Sequence, residues 1–194
     1  MARLRGAAIT ARAARRNAGG RRAAQRWTRA GGCGHLRDMT SDIDRAGLTP
    51  EYWRNTPLDK MSRLEWEALC DGCGRCCLLK LEDEDSGGVA YTDVHCRLFD
   101  PDTCRCGNYA HRKRLVPGCV QLTPENLEAS AAWMPETCAY RRLHEGRDLP
   151  DWHPLITGDP DSPQKAGMSM HNRSVPEWEV DEDDLEDHII EGML

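Results

Sequence analysis

The chain has 194 residues, 30% of them charged, with a single Phe, six Trp, ten Cys and a formal net charge of −6. That length fits one domain of ordinary size with a tail at each end, and no apolar run approaches the roughly 20 residues that span a bilayer. So few large apolar side chains leave a thin core, which a cross-link or a bound metal would supplement.

The charge is uneven. The first 37 residues carry ten Arg and no acid; the remainder holds 16 basic and 32 acidic residues, a balance of 16 − 32 = −16. A body that acidic repels phosphate backbones, so nucleic acid is not an expected partner. Residues 1–38 have three readings: a presequence of mitochondrial type, a disordered basic arm, or sequence upstream of a natural start at Met39. They contain no apolar stretch of the kind that directs secretion. Cys33 falls here and is given no role.

Residues 39–55 are polar and read as a lead-in to a domain over 56–190. In "NTPLDKMSRLEWEALC", Thr56 suits a cap and Pro57 a first turn. Leu58, Met61, Leu64, Ala68 and Leu69 fall near one face, which predicts a helix that delivers Cys70 and stops at Gly72 and Gly74. "LEDEDSGG" (81–88) reads as an acidic loop. "VAYT" (89–92) predicts a short strand with "CVQLT" (119–123) as its partner. "TPENLEASAAW" predicts a helix capped by Thr123, and "TCAYRRLHEG" another ending at Gly146. Pro and Gly breaks make 158–176 a loop, and "DEDDLEDHIIEGM" predicts a closing amphipathic helix with acids at its N-terminal end. Together these predict a small, irregular α+β domain with short helices and a few short strands.

The cysteines carry the chemistry. Nine of the ten lie between positions 70 and 138: Cys70, Cys73, Cys76, Cys77, Cys96, Cys104, Cys106, Cys119 and Cys138. An odd number in a charge-rich, acidic body argues against a disulfide scaffold. "CDGCGRCC" instead has the overlapping C-x2-C spacing that presents thiolates to one soft cation, with glycines where the backbone must approach sulfur. Thiolates select zinc, copper(I) or iron over magnesium or calcium. Four close a structural zinc site, and three of this spacing with a fourth from elsewhere hold an iron–sulfur cluster. Adjacent side chains point apart in helix and strand alike, so Cys76 and Cys77 rarely clasp one ion. Either one is an inert thiol or the pair faces two centres; nine thiols permit two four-ligand sites with one to spare.

"LCDGCGRCC", then Cys96, Cys104, "CRCGNYAHR" and Cys119, resembles the CxxCxxCC (YkgJ-like) cysteine-cluster family, described as zinc- or iron-chelating. "WEALCDGCGRCC", "TCAYRRLHEGRDLPDWHPLITG" and "SVPEWEV" resemble its YcgN-type bacterial members. The resemblance spans about Tyr52 to Ile190 and leaves out residues 1–38, which implies a start at Met39 and a cytoplasmic location. It also implies that Cys70, Cys73, Cys76, Cys77, Cys96, Cys106 and Cys119 belong to the wider family pattern. Cys104 and Cys138 belong to the YcgN-type version. No reaction follows from it.

Among other residues, His95 beside Cys96 is a candidate for a mixed site, weighed against a second-layer hydrogen-bond donor. His111, with Arg112, Lys113 and Arg114, reads as a solvated basic face, and His144 as a residue of a helix's last turn. Trp152 and His153 in "DWHPL" read as a packed loop, with His153 alternatively a ligand or proton donor. Arg112 and Tyr109 share one side of a turn, and Arg75, Arg105 and Arg112 would balance thiolate charge. No Ser-His-Asp pattern, phosphate-binding loop or dinucleotide fingerprint occurs. The sequence therefore predicts a protein that binds zinc or iron, an iron–sulfur cluster included. Its alternatives are a redox or electron-transfer role and a zinc-structured interaction module, with the protein partner and oligomeric state open.

Overall fold

The computed structural model describes residues 43–193 together with the backbone of Leu4–Arg5. Apart from those two residues, the readings of the basic tail and Cys33 lie outside the described residues.

Short helices and short strands alternate along the chain, as expected of an irregular α+β domain. Strands β1 (Leu4–Arg5), β2 (Leu78–Asp83), β3 (Val89–His95) and β6 (Val175–Pro176) form one sheet in that order, and β4 (Phe99–Asp100) pairs with β5 (Arg105–Cys106) in a second. β2 and β3 are antiparallel, with Lys80 opposite Tyr91 and an irregularity between Leu78 and Lys80. β6 joins β3 in parallel.

The partner of "VAYT" is therefore β2, and "CVQLT" forms no strand. The reason is local. Asp83 closes the turn to β3 by accepting from Ser86 through Oδ1 and from the Gly87 amide through its carbonyl, so residues 78–83 fold straight back on 89–95. Cys119 is drawn instead into a turn by donating to the Val116 carbonyl at 2.9 Å.

The helix expected from Thr56 is also divided. The chain forms α1 (Tyr52–Asn55), a 3-10 turn at Leu58–Lys60, and α2 (Arg63–Ala68). Ser62 and Glu65 make a reciprocal capping box that starts α2 afresh, while Pro57 and Met61 stay extended. Tyr52 and Trp53 in α1 are buried. α3 (Arg112–Leu115) follows a 3-10 turn at Tyr109–His111. α4 (Leu127–Ala131) follows the Thr123 capping box, and α5 (Ala139–His144) begins at Cys138. α6 (Pro154–Thr157) precedes the expected loop 158–176, and α7 (Ser162–Lys165) interrupts it with a short helix. The closing segment is a 3-10 helix, Glu182–His188, anchored by buried Leu185.

Burial is divided among three small clusters rather than gathered in one core. Tyr52, Trp53, Leu69, Leu127, Met134 and Tyr140 unite the helices. Leu78, Tyr91, Phe99, Cys104 and Met170 fill one side of the sheet. Leu79, Leu81, Val94 and Leu185 fill the other. The cysteine-rich turn 70–77 runs from the first cluster to the second, with Cys70 and Cys138 packed on the helical cluster and Cys77 on the sheet cluster.

Candidate metal centre

α2 ends at Ala68 with Leu69 as its cap, and the next turn is built for close approach. Gly72 and Gly74 have φ of +76° and +80°, in the left-handed region that a side chain resists. A Cβ on Gly72 would meet the Arg105 guanidinium at 2.6 Å, and one on Gly74 would meet the Phe99 ring at 2.6 Å. Just before Gly72, Asp71 accepts from the Cys73 amide through Oδ1 at 3.0 Å. A 3-10 turn over Arg75–Cys77 then presents the adjacent pair.

All nine described cysteines are free thiols. Cys70, Cys73 and Cys76 sit on the one turn and influence each other electrostatically. Cys138 is brought to them from α5. The Tyr140 hydroxyl donates to the Trp66 carbonyl at 2.9 Å, Arg75 donates to Thr137 Oγ1 at 3.4 Å, and Cys138 responds to Asp71 and Cys70.

Cys77 faces other company. Its carbonyl accepts from the Cys96 amide at 2.9 Å, and the Leu98 carbonyl, just beyond Cys96, accepts from Gly107 at 2.7 Å. Phe99 pairs with Cys106 in the second sheet. Cys77 responds first to the hydrogen-bonded Cys76 thiol and then to Cys96 and Cys106, and Cys119 responds to Cys106 and, more weakly, to Cys76. Cys104 stands apart: it is buried at φ +54°, with Sγ 3.2 Å from Ser169 Oγ.

Burial pushes most of these thiols up, Cys70 to about 12 and Cys96 to about 11. Cys76 is the exception. A hydrogen bond from the Cys77 thiol and the charge of Lys80 outweigh desolvation and bring it down to about 7.

Lys80 is 3% exposed. Its Nζ donates to the Leu78 carbonyl at 2.8 Å and the Cys76 carbonyl at 3.3 Å, and sits over the rings of Tyr91 and Trp133. Arg45 donates to the Cys70 carbonyl at 2.6 Å. Asp71 is 7% exposed, and its Oδ2 is buried with no hydrogen-bond partner. A buried carboxylate oxygen without a donor is costly unless a cation lies near it. That orphaned oxygen and the soft thiol donors around it fit a bound metal cation. Among the described residues, no three Cys, His, Asp or Glu side chains already converge tightly enough to hold one. The thiols are neighbours rather than a formed ligand set.

The histidines face elsewhere. His153 is fully buried; it accepts from the Leu155 amide through Nδ1, which leaves Nε2 to donate to the Leu69 carbonyl at 3.0 Å. His95 pairs with Ser174 Oγ at 2.9 Å and packs on Phe99. His111 pairs with Asn108, and His144 ends α5. Arg112 lies over the Tyr109 ring, 3.6 Å from its centroid, and donates to the Tyr109 carbonyl. The Tyr109 hydroxyl donates to Glu67.

Asp71, Lys80 and Arg45 are the residues that sequence reasoning missed. A charge inside the apolar run "LLKL" was the available signal for Lys80, and an acid between two cysteines of a C-x2-C was the one for Asp71.

Residues 69–139 match the model of the CxxCxxCC family, described as a "putative zinc- or iron-chelating domain". A UPF0260 protein of Parvibaculum lavamentivorans is 56% identical over 143 residues, covering 74% of this chain and 93% of its own. One from Caulobacter vibrioides is 51% identical over 150 residues, 76% of this chain and 92% of its own. The chain belongs to the UPF0260 family of cysteine-cluster proteins. A further UPF0260 protein, from Rhodobacter capsulatus, is 52% identical over 148 residues, 76% of this chain and 99% of its own. No solved structure matches the chain. No helix among the described residues is long and apolar enough to cross a membrane.

Proposed function

We propose that this UPF0260 protein holds zinc or iron through cysteine thiolates, as a resident centre that organises its own fold. The observation that carries this reading is the orphaned Asp71 Oδ2, buried within a turn that also supplies Cys70, Cys73 and Cys76. Family membership supports the same chemistry, since the family description names zinc or iron.

The division of the core supports residence over transient carriage. Three small clusters give less cooperative burial than one large one, and the cysteine turn connects the helical cluster to the sheet cluster. Thiolate ligation there would cross-link them, so binding free energy becomes folding free energy. When bound, the metal would supply a cross-link between the clusters, or redox capacity if it is iron. The chain supplies the thiolates, the buried cations that balance their charge, and the glycines that let the turn close.

The test is to purify the full chain without air or chelator, then combine elemental analysis with a visible spectrum. Stoichiometric zinc without colour would assign a structural centre. Iron with thiolate charge-transfer absorption that bleaches on reduction would assign a redox centre. Strong chelation should loosen the fold in either case, seen by circular dichroism and limited proteolysis. Metal-free protein of unchanged fold would overturn the reading.

A further inference from the structure

Which thiols act together is a separate question, and its answer rests on the thiolate-ligation reading above. We propose that the chain holds two distinct four-thiolate centres, back to back across the Cys76–Cys77 peptide, and that Cys104 belongs to neither. The first centre is Cys70, Cys73, Cys76 and Cys138. The second is Cys77, Cys96, Cys106 and Cys119.

Backbone geometry draws the partition. Cys77, Cys96 and Cys106 are tied in sequence by the Cys96 amide on the Cys77 carbonyl, the Gly107 amide on the Leu98 carbonyl, and the Phe99–Cys106 pairing. Cys119, held in the turn after α3 by its amide on the Val116 carbonyl, lies within electrostatic reach of Cys96 and Cys106. On the other side, Arg75 hydrogen-bonds Thr137, so the residues immediately preceding Cys76 and Cys138 are in contact. Cys70 and Cys138 also pack on one hydrophobic cluster, whereas Cys77 packs on another. Cys138 responds to Cys70, and Cys96 to Cys119 and Cys106, within the same division; across the shared wall the Cys76 and Cys77 thiols hydrogen-bond each other, the strongest thiol influence on Cys77, and Cys76 also acts on Cys119.

Charge balance separates the two as well. A divalent ion with four thiolates carries a net charge of −2, and Asp71 would take the first centre to −3. Arg45, Lys80 and Arg105 are set around that turn and Arg75 sits on it, four cations that more than offset the charge. At the second centre Arg112 and Lys113 act on Cys119, two cations for two negative charges. Cys104 is held by Ser169 in the sheet cluster, turned from both groups by its left-handed backbone. Each centre that fills releases the protons of its four thiols to the buffer as the four metal–sulfur bonds form.

The experiment is a Co²⁺ titration of the full chain, reduced, stripped of metal and kept free of air, followed by the cobalt–thiolate absorption. Two equivalents are expected for the wild type and for Cys104→Ser. Cys138→Ala and Cys119→Ala should each keep one equivalent with a tetrathiolate spectrum. One equivalent in the wild type, a loss in Cys104→Ser, or the loss of both equivalents in one well-folded single variant would overturn the partition. Absence of any cobalt–thiolate absorption would overturn the ligation reading itself. A measurement on the wild type guards against variants that fail to fold. At half saturation with Cd²⁺, single molecules with four cysteines protected from alkylation should show one complete set or the other. Mixed sets of four would reject the grouping.

Discussion

The imidazole of His153 donates from Nε2 to the carbonyl of Leu69, the residue immediately before Cys70. A loop 84 positions away in sequence thereby fixes the helix end from which the cysteine turn departs. With Nδ1 accepting from Leu155, the ring is locked in its neutral form and has no nitrogen left for a metal.

Replacing His153 with Ala should cost about 3 kcal/mol, because a buried carbonyl and a half-buried amide both lose their partners. Metal stoichiometry should be unchanged in a His153→Gln variant that still folds. Burial lowers the pKa of His153 from its reference of 6.5, so below pH 6.5 the unfolded chain takes up a proton that the folded chain refuses. Its contribution is therefore complete above pH 6.5 and declines as the pH falls towards the folded value. Acid also releases metal from thiolates, an effect common to both proteins. The wild-type-minus-glutamine difference in melting free energy should thus shrink on acidification; a difference constant with pH would contradict the locked neutral ring.

Cys76 is the exposed member of the cluster and has the most acidic thiol among those shifted, at about 7. The nucleophile is the thiolate, whose fraction rises with pH through that value. In stripped, reduced protein, iodoacetamide should label Cys76 first, with a rate that is half-maximal near pH 7. Cys70 and Cys96, pushed up to about 12 and about 11, should lag well behind at neutral pH. Cys77→Ala removes the hydrogen bond and should move the Cys76 profile to higher pH. Peptide mapping that found the nine thiols from Cys70 to Cys138 labelled at one rate would refute this ordering.

Part of the site was legible because thiol spacing is a direct constraint; the divergence expected of neighbours at i and i+1 is only partial, since Cys77 packs on the sheet cluster yet its thiol hydrogen-bonds that of Cys76. The helix at Ala139–His144 was legible from its pattern and from Gly146 beyond it. β2 was hidden because Lys80, a charged residue, occupies a buried position, and alternation cannot be read through it. The break at Ser62 was hidden because Leu58, Met61 and Leu64 keep helical spacing across it. The Ser62–Glu65 capping box was visible in the letters yet outweighed by that spacing. The approach of Cys138 to the turn depends on contacts among Trp66, Tyr140, Arg75 and Thr137, which no local pattern encodes.

Lys80 should matter to metal retention as much as to folding. Lys80→Met keeps the stem but removes the donor from the Leu78 and Cys76 carbonyls and one positive charge from beneath the paired cysteines. A neighbouring charge at effective dielectric ~20 is worth about 2 kcal/mol, more than tenfold in an equilibrium. Metal transfer to a coloured chelator should therefore be roughly tenfold faster in the variant. Lys80→Arg, which preserves the charge but must fit a larger head, should fall between. Equal transfer rates in all three proteins would remove Lys80 from the charge balance.

Gly74 and Gly146 separate backbone strain from crowding. Both have positive φ, +80° and +71°, so alanine strains either one by about 1 kcal/mol. A Cβ at Gly146 meets nothing within 4 Å, and Gly146→Ala should show only that cost, a fall in Tm of about 2–4 °C. At Gly74 the Cβ would lie 2.6 Å and 2.8 Å from two carbons of the Phe99 ring, which is itself buried in the sheet cluster and cannot swing aside. Gly74→Ala must therefore displace either Phe99 or the turn. Phe99 pairs through its backbone with Cys106, while the turn carries Cys73 and Cys76, so either movement disturbs thiols on both sides of the shared peptide. Metal content should fall together with Tm in this variant and stay whole in Gly146→Ala. A Gly74→Ala protein with full metal and a melt matching Gly146→Ala would show that the turn and Phe99 are not packed as described.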